Sequence, residues 1–227
     1  MGGEKMESAS VILAVFMMIP LGMMMLVFSG KSRVILGFLL AGIFMAMFAG
    51  QIDGFILSAT NISVKLAVEN VTPITEEVLK AIPIVCLAFL FKPDRQFLIE
   101  CAVAVGIGFS LLENVYLFSE AGQVTLLWAL VRGCGSGMMH AICTLMIGDA
   151  MSAVVQKRKL FLTGSLAALS ISIIYHSIYN IIVQSEYSLF GILLPIATYI
   201  PLLMFIKSRK ETANESANHT KERRKTK

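Results

Sequence analysis

The chain alternates between long apolar stretches and short charged clusters, and this alternation limits its folds more than any other feature. A helix needs about 20 apolar residues to cross roughly 30 Å of hydrocarbon. Of the 227 residues, 56% are hydrophobic and 15% are charged, an apolar excess that a water-soluble core cannot absorb. The pattern predicts an all-α polytopic membrane helix bundle of about seven transmembrane helices, at 8–29, 35–57, 74–91, 97–118, 124–155, 160–183 and 188–206.

Lys and Arg residues are distributed unevenly over the connections between these stretches. The first, third and fifth connections and the segment after 206 are basic, whereas the second, fourth and sixth carry almost no basic residues. By the positive-inside rule, this predicts an outward N-terminus and a cytoplasmic C-terminus. We expect one transmembrane domain over 1–206, in the plasma membrane, and a disordered basic tail over 207–227. No folded domain accompanies that tail, so the lipid bilayer is its expected partner and nucleic acid is not.

Nine ionisable side chains within the apolar stretches are candidates for a functional role, since a charge there costs at least about 2.5–3.5 kcal/mol and usually faces a partner or water. They are Asp53, Glu76, Glu77, Lys80, Glu113, Arg132, His140, Asp149 and His176. Asp53 and Asp149 match no motif and are interpreted as structural.

The first cluster, Glu76, Glu77 and Lys80, lies at the outward start of the third predicted helix. Lys80 is four residues from one glutamate and three from the other, so it can pair with either and leaves one carboxylate over. The structural alternative is a helix N-terminus in which acidic residues stabilise the positive end of the helix dipole.

Four predicted helices place acids and imidazoles at one depth. With the alternating topology, Glu76/Glu77, Glu113, His140 and His176 all fall in the outer half of the membrane. A glutamate can act as general base on water, and a histidine can protonate a leaving group or bind a metal. Two histidines and a glutamate also match a catalytic zinc site. From this chemistry alone, metal-activated and glutamate-activated water both fit.

The motifs of these helices, taken in order, resemble the PrsW family of intramembrane proteases over about 75–180. They are Glu76-Glu77-x-x-Lys80, Gly108-Phe109 followed by Glu113-Asn114, His140-Ala141-x-x-Thr144, and His176-x-x-Tyr179-Asn180. Each motif alone is weakly specific, but the four in this order are specific for the family. The related type II CAAX prenyl endopeptidases have Arg and Asn where this chain has Lys80 and Glu113, which favours the PrsW branch.

The resemblance implies an endopeptidase, with its protease-like core at about 74–183, that cuts membrane-anchored substrates near the outer face; in bacteria such a substrate is an anti-sigma factor. It implies catalytic roles for Glu76, Glu77, Glu113, His140 and His176. Glu76 or Glu77 activates the water, and the other is oriented by Lys80. Glu113, His140 and His176 either complete a metal site or bind and protonate the peptide. Glu77, His140 and His176 are the candidate ligands of one divalent metal, Zn for preference. The supporting residues are Lys80, Asn114, Arg132, Thr144 and Asn180, with Thr144 and Asn180 expected to fix the imidazoles.

Two other classes of function were weighed against a protease. The same superfamily is similar to the Aph scaffold subunit of gamma-secretase, so a non-catalytic scaffold or chaperone is the alternative, beside a CAAX-like prenyl endopeptidase. A transporter that uses the buried carboxylates is disfavoured, because the sequence has no repeated halves and no paired Gly/Pro-broken helices.

Overall fold

A computed structural model describes the backbone of residues 2–155 and 157–225, and the side chains of 11–155, 157, 160–205 and 207–208. All regular structure in these ranges is helical. In chain order the helices are α1 (Gly2–Val27), α2 (Gly30–Thr60), α3 (Val64–Leu66), α4 (Thr72–Phe91), α5 (Arg95–Ala121), α6 (Leu126–Leu130), α7 (Gly137–Val154), α8 (Arg158–Val183) and α9 (Phe190–Lys225).

Two π-helical segments join neighbouring helices without a break. Ala67–Val71 connects α3 to α4, and Val131–Ser136 connects α6 to α7, so nine labelled helices form seven continuous helical bodies in the described ranges. These bodies overlap the seven predicted stretches, and the last continues beyond 206 to Lys225. The third begins earlier than expected, at Val64, and the helix continues through Pro73. Proline lacks the amide hydrogen of a regular α-helical bond, and a π-helical turn precedes it here.

Four helical stretches of the described chain are long and apolar enough to cross a membrane: Gly30–Thr60, Arg95–Ala121, Leu126–Val154 and Leu160–Val183. Val11–Val27 and Phe190–Phe205 are shorter apolar runs. α4 has the length, but it carries Glu76, Glu77 and Lys80. The all-helical fold class is therefore confirmed, while the count of seven crossings, the orientation and the disordered tail remain predictions.

α5 is the central helix, with α2 packed on one side and α7 on the other. The approach is close because glycines lie at the contacts. A Cβ atom at Gly108 would overlap the Leu39 carbonyl oxygen of α2, and one at Gly106 would overlap Thr144 Oγ1 and the His140 carbonyl oxygen of α7. Glycine at these positions therefore permits the close approach of α5 to its two neighbours. The same contacts bring the middle of α7 against α5.

Local signals end and begin the helices at one end of the bundle. Lys92 adopts φ 45° and ends α4, and Asp94 caps α5 by accepting a 2.9 Å hydrogen bond from the Phe97 backbone N–H. Lys31, at the start of α2, pairs with Asp94 at 3.2 Å, and Arg95 Nε donates to Asp149 Oδ1 of α7 at 2.7 Å. The first and third connections and the end of α7 thus meet at one end of the molecule, as the alternating topology requires.

Candidate active site

Glu76 and Glu77 are neighbours in α4, but their side chains have different contacts. Lys80 Nζ lies 2.6 Å from Glu77 Oε1 but 4.0 Å from Glu76 Oε2. The Lys80 and Glu77 side chains are fully buried, and that of Glu76 is 8% exposed. Glu77 is therefore the ion-pair partner of Lys80, and Glu76 is the carboxylate left over.

His176 of α8 faces both glutamates across the interface with α4. Its Nδ1 lies 2.8 Å from Glu77 Oε1, and its Nε2 lies 3.8 Å from Glu76 Oε2. A carboxylate only accepts, so the 2.8 Å contact fits a tautomer in which Nδ1–H donates to Glu77. The Nε2 lone pair of His176 then points toward Glu76. A histidine that ligates a metal is commonly held in this way, with its other ring nitrogen donating to a carboxylate.

His140 of α7 connects the α4 cluster to α5. Its Nδ1 lies 2.7 Å from Lys80 Nζ and its Nε2 lies 2.6 Å from Glu113 Oε2. Lys80 donates only, so these contacts fit a neutral ring that accepts at Nδ1 and donates from Nε2. Arg132 of the second π-helical segment holds the other Glu113 oxygen, Oε1, at 2.7 Å. The predicted residues of four helices thus form one continuous polar network.

The Phe109 ring of α5 forms the apolar side of this network. It lies 5.2 Å from the His140 ring, centroid to centroid, and Lys80 Nζ lies 4.6 Å from its centre. A cation over an aromatic face is stabilised by about 0.5–2 kcal/mol, more when it is desolvated. The His140 and His176 rings meet edge to face at 5.1 Å. Phe109 therefore helps to hold an ammonium group and an imidazole in place without making a hydrogen bond.

Glu76, His140 and His176 form the cluster whose ligand atoms lie within 4.8 Å of one another. Glu76 thus stands in the place that the sequence favoured for Glu77. Two observations fit a divalent metal. Glu76 Oε2 is buried and has no hydrogen-bond partner, and it faces His176 Nε2 at 3.8 Å, close to the roughly 3.3 Å between ligand atoms of a tetrahedral zinc with bonds of about 2.0–2.1 Å.

The charges of the network also favour a cation. Glu76, Glu77 and Glu113 supply three carboxylates, and Lys80 and Arg132 supply two cations, which leaves one negative charge in a buried site. An uncompensated charge in a medium of low dielectric is costly, so a bound cation would offset it. Metal binding at His140 Nδ1 would require Lys80 to give up that contact, while its ion pair with Glu77 can remain.

Of the predicted supporting residues, Arg132 and Asn114 belong to the polar network, whereas Thr144 and Asn180 do not. Arg132 Nε donates to Asn114 Oδ1 at 3.0 Å, so both belong to the network through Glu113. Thr144 Oγ1 donates to the His140 and Ala141 carbonyl oxygens, and Asn180 Nδ2 donates to the Val68 carbonyl oxygen at 2.9 Å. These two side chains hydrogen-bond to backbone and not to the imidazole rings that they were expected to fix.

Some residues of the site were not assigned a role from the sequence. Phe109 was part of a motif, but only packing reveals its contacts. Asp53, interpreted as structural, interacts with Thr72 and Thr75 just before the glutamates. The hydroxyl groups of Ser136 and Tyr179 are buried without a hydrogen-bond partner. Ser136 lies four residues before His140 and Tyr179 three after His176, and this spacing is the sequence signal that could have found them.

The comparison with protein families agrees with the site. The model of the PrsW family of intramembrane metalloproteases matches residues 12–206, nearly the whole chain and every residue of the network. No curated protein and no solved structure matches the chain. The family and the four long apolar helices together establish an integral membrane protein of the protease class. The chain belongs to the PrsW family of intramembrane metalloproteases.

Proposed function

We propose that this protein is an endopeptidase that hydrolyses membrane-anchored proteins near the outer face of a cell membrane. In a bacterial host, the resemblance suggests an anti-sigma factor as the substrate. The single observation that carries the proposal is the buried cluster of Glu76, His140 and His176, with ligand atoms within 4.8 Å of one another, inside an apolar helix bundle. A purely structural scaffold does not need such a cluster, and the family match favours a protease over a transporter.

Glu76, His140 and His176 are the residues that would hold the metal. When bound, a divalent metal supplies a water of lowered pKa and polarises the scissile carbonyl group. The protein's own contribution is to fix these ligands. Glu77 orients His176 through the 2.8 Å hydrogen bond, and Glu113 orients His140 through the 2.6 Å contact, while Arg132 holds Glu113.

Glu77 is the residue that we assign to proton transfer. Its Oε1 is fixed by Lys80 and His176, and its Oε2 is buried without a hydrogen-bond partner, so one oxygen remains available for a proton. The water oxygen bonds to the carbonyl carbon as Glu77 takes a proton. The C–N bond then breaks as that proton passes to the amide nitrogen, and the products are a carboxylic acid and an amine.

The first prediction tests this assignment. Glu77→Gln keeps the shape of the side chain but removes its basicity, and general base catalysis contributes about 10²–10⁴-fold. We expect cleavage of a single-span reporter protein, measured by gel in reconstituted liposomes, to fall by about 100-fold or more, while membrane insertion and accumulation stay normal.

The matched control is Glu100→Gln. Glu100 also lies on an apolar helix, but near the start of α5, where its Oε1 accepts a hydrogen bond from Gln96. This variant should cleave at the wild-type rate. The helical body begins at Val64, so the glutamates do not cap a helix N-terminus. Near-normal cleavage by Glu77→Gln would instead leave the Glu77–Lys80 ion pair a structural role and favour a scaffold.

A further inference from the structure

A cleft of about 290 Å³ opens beside the polar network, between α5 and the segment that runs from Val131–Ser136 into α7. We call it the outer cleft. Ser110 and Asn114 of α5 form one wall, Gly133, Gly137 and Met138 form the other, and Tyr199 of α9 also lines it.

The outer cleft is continuous with the candidate active site. Asn114, in its wall, accepts a 3.0 Å hydrogen bond from Arg132, which holds Glu113, which in turn contacts His140. Ala141, the neighbour of His140, also lines the cleft. A molecule that contacts Asn114 is therefore connected to Glu113 through one further side chain, Arg132.

The exposure of the network indicates the same route. The side chains of Glu113 and Arg132 are 24% and 15% exposed, whereas those of Lys80 and His140 are fully buried. The side chains of Glu76 and His176 are 8% and 2% exposed. An approaching substrate thus meets the network first at Glu113 and Arg132, which is the side on which the cleft lies.

The polar groups of the cleft favour an extended peptide. A helix satisfies its backbone N–H and C=O groups internally, whereas an extended segment in an apolar environment needs partners for them. Asn114 uses one amide hydrogen toward Ser110 and accepts one from Arg132, so it retains a second N–H and a second lone pair.

We propose that the outer cleft binds an extended, locally unwound segment of a membrane-anchored polypeptide and delivers it to the site. The proposal rests on the proposed protease function and names where its substrate enters. Gly133 and Gly137 add no side chain to the cleft wall, and Asn114 hydrogen-bonds to the substrate backbone.

The first test fills the cleft from its open side. No atom lies within 4 Å of a Cβ at Gly133, so Gly133→Leu adds bulk to the cleft without a clash. Gly54→Leu is the matched control, because Gly54 of α2 has equally open surroundings and does not line the cleft. We expect Gly133→Leu to cleave the single-span reporter at least tenfold more slowly, with its unfolding temperature unchanged. Equal cleavage rates for the two variants would overturn the proposal that the outer cleft binds the substrate.

The second test measures binding without turnover. A photoreactive benzoylphenylalanine replaces Gly133 in the Glu77→Gln background, and the protein is irradiated in liposomes with the same reporter, whose outer segment is unstructured. An adduct to that outer segment, absent when the photoreactive group is at Gly54, supports the proposal. Adducts only to lipid, only to a second copy of this chain, or none, overturn it.

These two readouts separate the cleft from the proposed function. A reporter that crosslinks at Gly133 but is not cleaved by the wild type counts against the protease and in favour of the cleft. A reporter that is cleaved but gives no adduct at Gly133 counts against the cleft alone.

Discussion

Lys80 forms a close ion pair with only one of two adjacent glutamates, Glu77. Helix spacing allows Lys80 to reach either glutamate. In the structure it pairs with Glu77, whose Oε1 also accepts a hydrogen bond from His176. A buried ammonium is tolerated here because Glu77 lies at 2.6 Å, His140 Nδ1 accepts at 2.7 Å, and the Phe109 ring lies beneath it. When Glu77 is neutralised, the Glu76 carboxylate, 4.0 Å from Lys80 Nζ, remains to compensate the buried ammonium.

Asp94, at the opposite end of the bundle, provides a prediction about pH. The Phe97 backbone N–H, and then Lys31, hold the pKa of the Asp94 carboxyl below its ordinary value. A lowered folded-state pKa adds stability above the unfolded-state pKa, near 4, and this stability is lost as the pH falls through the folded-state value. We expect Asp94→Ala to destabilise the protein by about 0.5–2 kcal/mol at pH 7, and by less below pH 3.

Thermal unfolding in detergent at both pH values measures this effect. Asp94→Asn, which keeps a capping oxygen but no charge, should lie between Ala and wild type at pH 7. A cost of Asp94→Ala that is the same at both pH values would contradict the charge-assisted cap.

The sequence predicted the members of the site but not their pairing. Glu76, Glu77, Glu113, His140 and His176 were found because charges in apolar helices are rare and share one depth. Spacing could not decide that Lys80 takes Glu77, since i,i+3 and i,i+4 partners are equally near. It also could not show that Thr144 and Asn180 bond to backbone, because rotamers depend on packing between helices.

At the scale of helices, α5 contacts α2 and α7 closely at glycine residues. Gly106 is the most constrained of these next to the site, because a Cβ there would overlap Thr144 Oγ1 and the His140 carbonyl oxygen. Gly106→Val therefore has to push α7, and with it His140, away from α5. We expect a loss of stability of at least about 1–3 kcal/mol and a loss of cleavage.

Gly50→Val is the control for this variant. It makes the same substitution in a helix, and no atom lies within 4 Å of a Cβ at Gly50. The unfolding temperatures of the two variants in detergent should differ by several degrees, with Gly50→Val close to the wild type. Equal unfolding temperatures would show that the α5–α7 contact does not depend on glycine.

The seven helical bodies were predictable, whereas the π-helical segments and some boundaries were not. Apolar length and flanking charges located each body, although the third begins at Val64 instead of 74 and the last ends at Lys225 instead of 206. The sequence did not predict that Val131–Ser136 continues as a π-helix. Its stability depends on tertiary contacts, such as Arg132 with Glu113 and Gly135 against Tyr179.

For the whole molecule, the distribution of basic residues predicts which end faces the cytoplasm. Lys31, Asp94, Arg95 and Asp149 form ion pairs at one end, and the positive-inside rule assigns that end to the cytoplasm. A reporter fused after residue 210 should report the cytoplasm, and one inserted after Ile62, between α2 and α3, should report the outside. The reverse result would place the site in the cytoplasmic half of the membrane.

The central claim is that one buried cluster from three helices, Glu76, His140 and His176, holds the metal of this protease. Its most direct test is the metal content of the purified protein, measured by mass spectrometry together with reporter cleavage. We expect about one zinc per wild-type chain, a severe loss of metal in Glu76→Gln, His140→Ala and His176→Ala, and full retention in the inactive Glu77→Gln. A strong chelator should inactivate the wild type, and added zinc should restore it. Full cleavage by metal-free protein would contradict the claim.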